Sequence, residues 1–238
     1  MKSRLVPWAD RVARLVPARS RLALRMRFRR LLGALDPELG DLEGLAGRGR
    51  LAADVGANEG WYALPLSGLF ERVIAFEPND LLLGDLRSAA KVNIEIHACA
   101  ISSRRGVGEL HVPVRRGLAL TGWASLHPGH LPSRDRLISR NVRLETLDAL
   151  ALPSLDFLKV DVEGHEVEVC RGALETIDRF RPRVLIEVQE ENSAEVDALL
   201  GSCGLVRARP QDGRAPLSPG NSYYRSVESS ATGERGRS

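Results

Sequence analysis

The sequence predicts an α/β fold in which a mostly parallel sheet carries helices on both faces. Short apolar runs alternate with helical segments from residue 51 onward, which is the pattern of a parallel sheet. The strongest run, residues 155–162, leads directly into a helical pattern. The 238 residues, 43% of them hydrophobic, suffice for one domain with a buried core.

The first half of the chain predicts three strands and two helices. Asn79 is suited to start the second helix, because its side chain can accept hydrogen bonds from free backbone N–H groups. The strands are expected over 51–55, 72–77 and 94–98, and the helices over 61–69 and from residue 80 to about 91.

Residues 106–145 predict an antiparallel insertion. Residues 109–114 alternate in hydrophobicity, glycines flank them, and no helical pattern follows. A mobile loop is expected over about 127–136.

The second half of the chain returns to alternating strands and helices. After residue 166 a single helix is expected, on which Val167, Cys170, Leu174 and Ile177 form one apolar stripe. Further elements are expected as a strand over 182–188, a helix over 193–203 and a last strand near 222–224.

Charge is distributed unevenly along the chain. Residues 1–32 carry a net charge of +9 and the remainder carries −6, so the body gives no support for nucleic-acid binding. The composition predicts a basic N-terminal helical extension over 1–45, a main domain over 46–227 and a disordered polar tail over 228–238. The extension, helical over about 18–35, has three open interpretations: packing on the domain, covering the substrate cleft, or weak contact with an anionic membrane surface.

Several protein classes are excluded by composition. There is no apolar run of about 18 residues for a transmembrane helix, and arginines interrupt the N-terminus where a signal peptide needs an apolar core. Cys99, Cys170 and Cys203 form no CxxC pair, which favours a reducing, cytoplasmic location. No His, Asp and Glu set has metal-ligand spacing along the sequence, so no metal site is expected.

The most informative motif is the loop Asp-Val-Gly-Ala-Asn-Glu-Gly at residues 54–60 between the first strand and the first helix. The second strand ends at Glu77, 21 residues after Gly56. A strand-loop-helix-strand unit with this spacing is typical of nucleoside binding, since the carboxylate can accept hydrogen bonds from ribose hydroxyls. Glycine also permits close backbone approach to a ligand.

Charge at the loop favours S-adenosylmethionine (SAM) over a dinucleotide. A dinucleotide site needs Gly-x-Gly-x-x-Gly, and here the middle glycine is missing. Asp54 would repel a pyrophosphate and attract the ammonium or sulfonium of SAM. An ordinary α/β turn without a cofactor is the remaining alternative.

Considered together, these motifs resemble the FkbM family of SAM-dependent methyltransferases. The most specific block is Lys-Val-Asp-Val-Glu-Gly-His-Glu at residues 159–166. The resemblance implies a Rossmann-like class I methyltransferase fold, with a seven-stranded sheet whose last strand is antiparallel. It also implies methyl transfer, usually to a hydroxyl of a small natural product or sugar. The resemblance is carried by residues 54–60, 73–79, 145–148, 157–166 and 182–187.

Ligands of open α/β sheets bind beyond the carboxyl ends of the strands, which places the candidate cofactor residues around one crevice. Glu77 is expected to hold the ribose, Asp54 and the glycine loop the methionine part, and Ala98 with Cys99 the adenine. The expected cofactor residues are Asp54, Gly56, Ala57, Asn58, Gly60, Glu77, Asn79, Ala98, Cys99 and Asp161.

A hydroxyl acceptor needs a base, and Asp161, Glu163 and His165 follow the fourth parallel strand. His165 titrates nearest neutral pH but is equally a polar residue of a first helical turn, and Glu163 is equally a structural acid there. His127 and His130 are loop candidates that enter on closure.

The expected function is SAM-dependent O-methylation of a small-molecule hydroxyl acceptor. The alternative is a non-catalytic SAM-binding module, tethered to a membrane or partner through its basic N-terminus. A nicotinamide oxidoreductase is disfavoured.

Overall fold

Eleven strands form two sheets in a computed structural model that describes residues 15–115, 117–131, 135–209 and 217–227. In chain order they are β1 (Gly49–Val55), β2 (Phe70–Phe76), β3 (Ile94–His97), β4 (Ala100–Ile101), β5 (Gly106–Arg115), β6 (Leu118–Ala119), β7 (Arg136–Glu145), β8 (Phe157–Val160), β9 (Arg183–Glu187), β10 (Leu205–Ala208) and β11 (Asn221–Ser226).

The main sheet has seven strands in the order β10-β11-β9-β8-β1-β2-β3. Strands β3, β2, β1, β8 and β9 pair in parallel, and β11 runs antiparallel to both β9 and β10. This order confirms the predicted α/β class and the antiparallel last strand. The carboxyl ends of the five parallel strands therefore meet at one edge.

Helices cover both faces of the main sheet. The helices are α1 (Ala18–Leu32), α2 (Pro37–Gly40), α3 (Leu42–Ala46), α4 (Ala63–Leu66), α5 (Asp80–Ala89), α6 (Glu166–Arg171), α7 (Leu174–Phe180) and α8 (Ser193–Ser202). One face of the sheet packs against α6, α7 and α8, and the other against α2 to α5.

The predicted antiparallel insertion is present as the second sheet, ordered β4-β7-β5-β6. Strands β5 and β7 pair antiparallel along their length, and the sheet has a small apolar core of its own. The segment that joins β6 to β7 contains short 3₁₀ turns at Thr121–Trp123 and Pro128–His130. The mobility expected over 127–136 stays a prediction, and residues 132–134 lie outside the described part.

Two helix predictions need correction. The helix expected over 61–69 is only α4, because Pro65 lacks a backbone N–H and the chain turns at Ser67 and Gly68. The single helix expected after residue 166 is broken between α6 and α7. At the break, the Gly172 oxygen accepts from the Asp148 N–H at 3.1 Å, and the Asp148 carboxylate accepts from the Thr176 N–H at 2.8 Å at the start of α7. An added Cβ at Gly172 would lie 1.9 Å from the backbone oxygen of Ser102, so this close contact needs glycine.

The N-terminal helix α1 lies on the domain, against α5. Leu22 is buried near Gly60, Arg25 pairs with Glu59, and the guanidinium groups of Arg25 and Arg29 lie over the ring of Trp61. This helix therefore packs behind the glycine loop. Within the part of the chain that the structure describes, no helix combines the length and apolar character needed to cross a bilayer.

The predicted domain limits stay predictions. Residues 1–14 and the tail over 228–238 lie outside the described residues. On both sides of the predicted limit between residues 45 and 46, apolar side chains are buried against the sheet: Leu39 and Leu42 before it and Ala46 after it.

Candidate active site

A cavity of about 730 Å³, including its part open to solvent, lies at the carboxyl ends of β1, β2 and β8. Of the predicted site residues, seven line it: Gly56, Asn58, Glu77, Cys99, Asp161, Glu163 and His165.

Glu77 is held in the cavity wall by backbone groups. Its Oε2 accepts from the N–H of Asn58 at 2.8 Å, and its Oε1 accepts from the N–H of Asn79 at 2.7 Å. Burial raises the pKa of Glu77 to about 7, although the two hydrogen bonds oppose this shift. Because a carboxylate has about four acceptor positions, both oxygens keep capacity for ligand hydroxyls.

Asp54 lies behind the cavity wall. Its side chain is buried, and Oδ2 has no hydrogen-bond partner among the described residues. Burial raises the pKa of Asp54 to about 7, while the neighbouring Lys159 lowers it. Lys159 is itself buried, with Nζ 3.6 Å from Asp161 Oδ2 and 5.0 Å from the centre of the Tyr62 ring. A carboxylate oxygen without a partner is costly when charged, and a cationic ligand group would relieve that cost.

The glycines of the loop are required by the protein itself. Gly56 has φ +83°, and a Cβ there would lie 1.8 Å from the backbone oxygen of Asp161. Gly60 has φ +96° and faces Leu86 and Leu22. The absence of a side chain at Gly56 thus lets the ends of β1 and β8 meet, and its predicted role toward a ligand stays a prediction.

Residues 121–127, called the lid below, form the opposite wall of the cavity. Thr121, Gly122, Ala124 and Leu126 line it. Ser125 is fully buried; its Oγ donates to the Glu163 backbone oxygen at 2.6 Å and accepts from the His127 N–H at 3.0 Å.

Carboxylates dominate the mouth of the cavity. Burial raises the pKa of Glu163 to about 7, and the neighbouring carboxylates of Asp161 and Glu187 add to this shift. Burial raises the pKa of Glu187 to about 6. Asp161, Glu163 and Glu187 also line a second, adjoining cleft, which is completed by Glu166, Val188, Gln189, Glu190, Glu191, Pro219 and Gly220.

His165 is buried with both ring nitrogens engaged. Nε2 lies 3.0 Å from Ser102 Oγ, and Nδ1 lies 2.8 Å from His127 Nε2. Burial, with a smaller effect of His127, lowers the pKa of His165 to about 4. The side chain of His130 lies outside the described part of the structure.

The other predicted cofactor residues do not line the cavity. Ala57 and Gly60 are buried in the loop, and Ala98 is exposed beyond β3. Asn79 caps α5, where its Oδ1 accepts from the Leu81 N–H at 3.2 Å. The predicted roles of these residues in ligand binding stay predictions.

Several cavity residues were not anticipated from the sequence. Glu187 could have been, because it ends a parallel strand at the same edge as Glu77 and Asp161. The lid residues that line the cavity have no such signal, since only the insertion brings them there.

The sheet order, the glycine loop and the carboxylate after β2 define a Rossmann-like protein of the class I methyltransferase type. The family model described as the methyltransferase FkbM domain matches residues 54–206, more than half of the chain. This protein belongs to that family. A search of curated proteins found no match.

One solved structure supports the fold. The FkbM methyltransferase from Methylobacillus flagellatus KT is 16% identical, with a TM-score of 0.51, over 91% of this chain and 60% of that one. This chain therefore spans less than two thirds of that relative. A TehB-like SAM-dependent methyltransferase from Corynebacterium glutamicum is 12% identical, with a TM-score of 0.45, over 84% and 92% of the two chains.

Proposed function

We propose that this protein binds SAM in the cavity and transfers its methyl group to a hydroxyl oxygen of a small molecule. The observation that carries the proposal is the Glu77 carboxylate, which is fixed in the wall with acceptor capacity toward the cavity. It stands at the position where nucleoside-binding α/β proteins hold a ribose. Membership of a methyltransferase family agrees with this assignment.

The loop supports a phosphate-free ligand. All five of its backbone N–H groups from residue 56 to 60 donate within the protein: Gly56 and Ala57 to Phe76 O, Asn58 to Glu77, Glu59 to Asn58 Oδ1, and Gly60 to Ala57 O. A pyrophosphate is normally held by free N–H groups at such a turn. The carboxylates around the cavity would also repel phosphate and attract the sulfonium and ammonium of SAM.

Glu163 is the best-placed base for a hydroxyl acceptor. It lies where the cavity meets the second cleft, and a pKa of about 7 suits proton transfer near neutral pH. His165 is less suitable, because both of its nitrogens already have partners. SAM, when bound, supplies the methyl group from its sulfonium, and Glu163 takes the proton that the acceptor hydroxyl loses.

The acceptor would occupy the second cleft. Its walls carry several carboxylates, among them Glu187 and Glu190. This charge disfavours anionic acceptors and favours neutral or cationic molecules with a free hydroxyl.

Ligand binding tests the cofactor. We expect S-adenosylhomocysteine and SAM, but not NADH, to raise the melting temperature of the full chain. Glu77→Ala should weaken binding at least about 10-fold, since hydrogen bonds to charged groups contribute about 1.5–3 kcal/mol each. Glu71→Ala, at an exposed position of the same strand, should bind normally. Equal stabilisation by NADH, or undiminished binding by Glu77→Ala, would contradict the proposal.

Turnover separates the enzyme from a non-catalytic SAM-binding module. A panel of neutral and cationic hydroxyl compounds would be assayed with the wild type and with Glu163→Gln. The proposal expects methyl ethers from the wild type, and retained S-adenosylhomocysteine binding with lost transfer in Glu163→Gln. Binding without turnover on any compound would favour the module.

A further inference from the structure

Two histidines that are 38 positions apart in the sequence face each other at the base of the lid. His165 Nδ1 lies 2.8 Å from His127 Nε2. The carboxylate of Glu168, in the first turn of α6, lies beside both rings, with Oε2 3.9 Å from each of these nitrogens. Two imidazole nitrogens and one carboxylate oxygen thus converge from the lid and from α6.

The three atoms have the dimensions of a metal site. The three atoms form a triangle with sides of 2.8, 3.9 and 3.9 Å. The point in its plane that is equidistant from all three atoms lies about 2.1 Å from each. Zinc binds histidine nitrogen at about 2.0–2.1 Å and carboxylate oxygen at about 2.0–2.2 Å. The three atoms are therefore within reach of one ion, which would replace the hydrogen bond between the two imidazoles and require the side chains to shift toward a tetrahedral arrangement.

The surroundings of His165 match those of a metal-binding histidine. Such a ligand usually engages its other ring nitrogen with an oxygen that fixes the tautomer and orientation of the ring. Here Nε2 lies 3.0 Å from the buried Ser102 Oγ, which leaves Nδ1 as the nitrogen directed at His127. On the lid side, the hydrogen bond between the His127 N–H and Ser125 Oγ fixes the backbone that carries the second ligand.

We propose that His127, His165 and Glu168 form a binding site for a divalent transition-metal ion, with zinc as the best fit. Two imidazole ligands favour zinc and other divalent transition-metal ions over magnesium and calcium, which prefer oxygen ligands. A bound ion would connect the lid to α6 and hold the lid against the cavity. His127 keeps 41% of its side-chain surface exposed, so solvent can reach the site and supply a fourth ligand. The sequence predicts no metal site, because His127 belongs to the insertion and lies 38 positions before His165.

Titration with zinc alone tests the site. The full chain, stripped with a chelator, would be titrated with Zn²⁺ in a calorimeter, with Mg²⁺ as the comparison ion. We expect one zinc per chain and no magnesium binding at the same concentrations. His127→Ala should weaken zinc binding at least about 10-fold. His111→Ala should leave it unchanged, since the His111 imidazole contacts Ser139 Oγ and only the His111 backbone pairs with the lid, at Ser125.

Further variants guard against misfolding as the explanation. Glu168→Gln keeps the size of the side chain and should also weaken zinc binding at least about 10-fold, and Ser102→Ala should weaken it about 10-fold or more through the orientation of His165. Each variant would be checked for an unchanged circular dichroism spectrum without metal. Zinc binding that survives both His127→Ala and Glu168→Gln, or no zinc binding by the wild type, would overturn the proposal. Neither result bears on SAM binding, which is measured separately without metal.

Discussion

The two walls of the cavity are built in different ways. The sheet wall, formed by Gly56, Asn58, Glu77 and Asp161, is positioned by backbone contacts between neighbouring parallel strands. The lid is held by two backbone hydrogen bonds between Ser125 and His111 of β5, and by side chains of residues far apart in the sequence, such as Ser125 against Glu163. The first kind of wall follows from a local motif, whereas the second depends on how a whole insertion folds back.

The largest expected effect concerns the sheet wall. Gly56→Ala should lower the free energy of unfolding by at least about 3 kcal/mol, because the new Cβ meets a backbone oxygen at 1.8 Å and φ is +83°. Chemical denaturation would measure the change.

The matched control for Gly56→Ala is Gly84→Ala in α5. An added Cβ there meets nothing within 4 Å, so the variant should gain about 0.5–1 kcal/mol from the better helix former. If Gly56→Ala were as stable as Gly84→Ala, the sheet wall would not depend on close backbone contact.

The contrast between the sheet wall and the lid also explains which parts of the fold and site the sequence could predict. The parallel strands, the antiparallel last strand and Glu77 follow from apolar runs, spacing and family resemblance. The break at Gly172 could not be foreseen, because the hydrogen bonds at the break involve Asp148, 24 positions earlier. The loop glycine is predicted from the motif, but its close contact with the end of β8 appears only in the folded chain.

Side-chain placement beyond the motifs was also out of reach. Lys159 was found within the most specific motif, yet its burial beside Asp161 and Tyr62 appears only in the folded chain. His127 and His165 were each weighed as catalytic candidates, but nothing in their spacing shows that they meet. Contacts between an insertion and the sheet depend on tertiary packing, which local patterns do not encode.

A smaller effect is expected in the lid. Ser125→Ala removes the donor to the Glu163 backbone oxygen and the acceptor of the His127 N–H. Because these groups are buried or half-buried, we expect a loss of about 1–3 kcal/mol in the free energy of unfolding. Ser88→Ala, which removes an exposed hydroxyl on α5, should change stability by less than about 0.5 kcal/mol. A loss in Ser125→Ala as large as that in Gly56→Ala would mean that the lid is as essential to the fold as the sheet wall.

The last prediction is electrostatic, is spread over several pH units, and returns to the sheet wall. Burial raises the pKa of Asp54 from 3.8 and of Glu77 from 4.5, in both cases to about 7. The folded chain therefore binds more protons than the unfolded chain between about pH 4 and 7, so these groups make stability fall as pH rises through that range. Each group contributes at most about 1.4 kcal/mol per pH unit.

Thermal unfolding of the ligand-free protein between pH 5 and 7 would measure this dependence against a matched pair of variants. Asp54→Asn should flatten it, because an amide cannot lose a proton, although Lys159 and Asp161 nearby remain. Asp85→Asn, at an exposed position of α5, should keep the wild-type slope. A cation bound in the cavity, in front of Asp54, favours the charged form of this carboxyl, so SAM should raise the melting temperature more at pH 7 than at pH 5. An identical slope in Asp54→Asn and wild type would show that the Asp54 carboxyl does not titrate in this range and would remove the electrostatic reason for expecting a cation beside it.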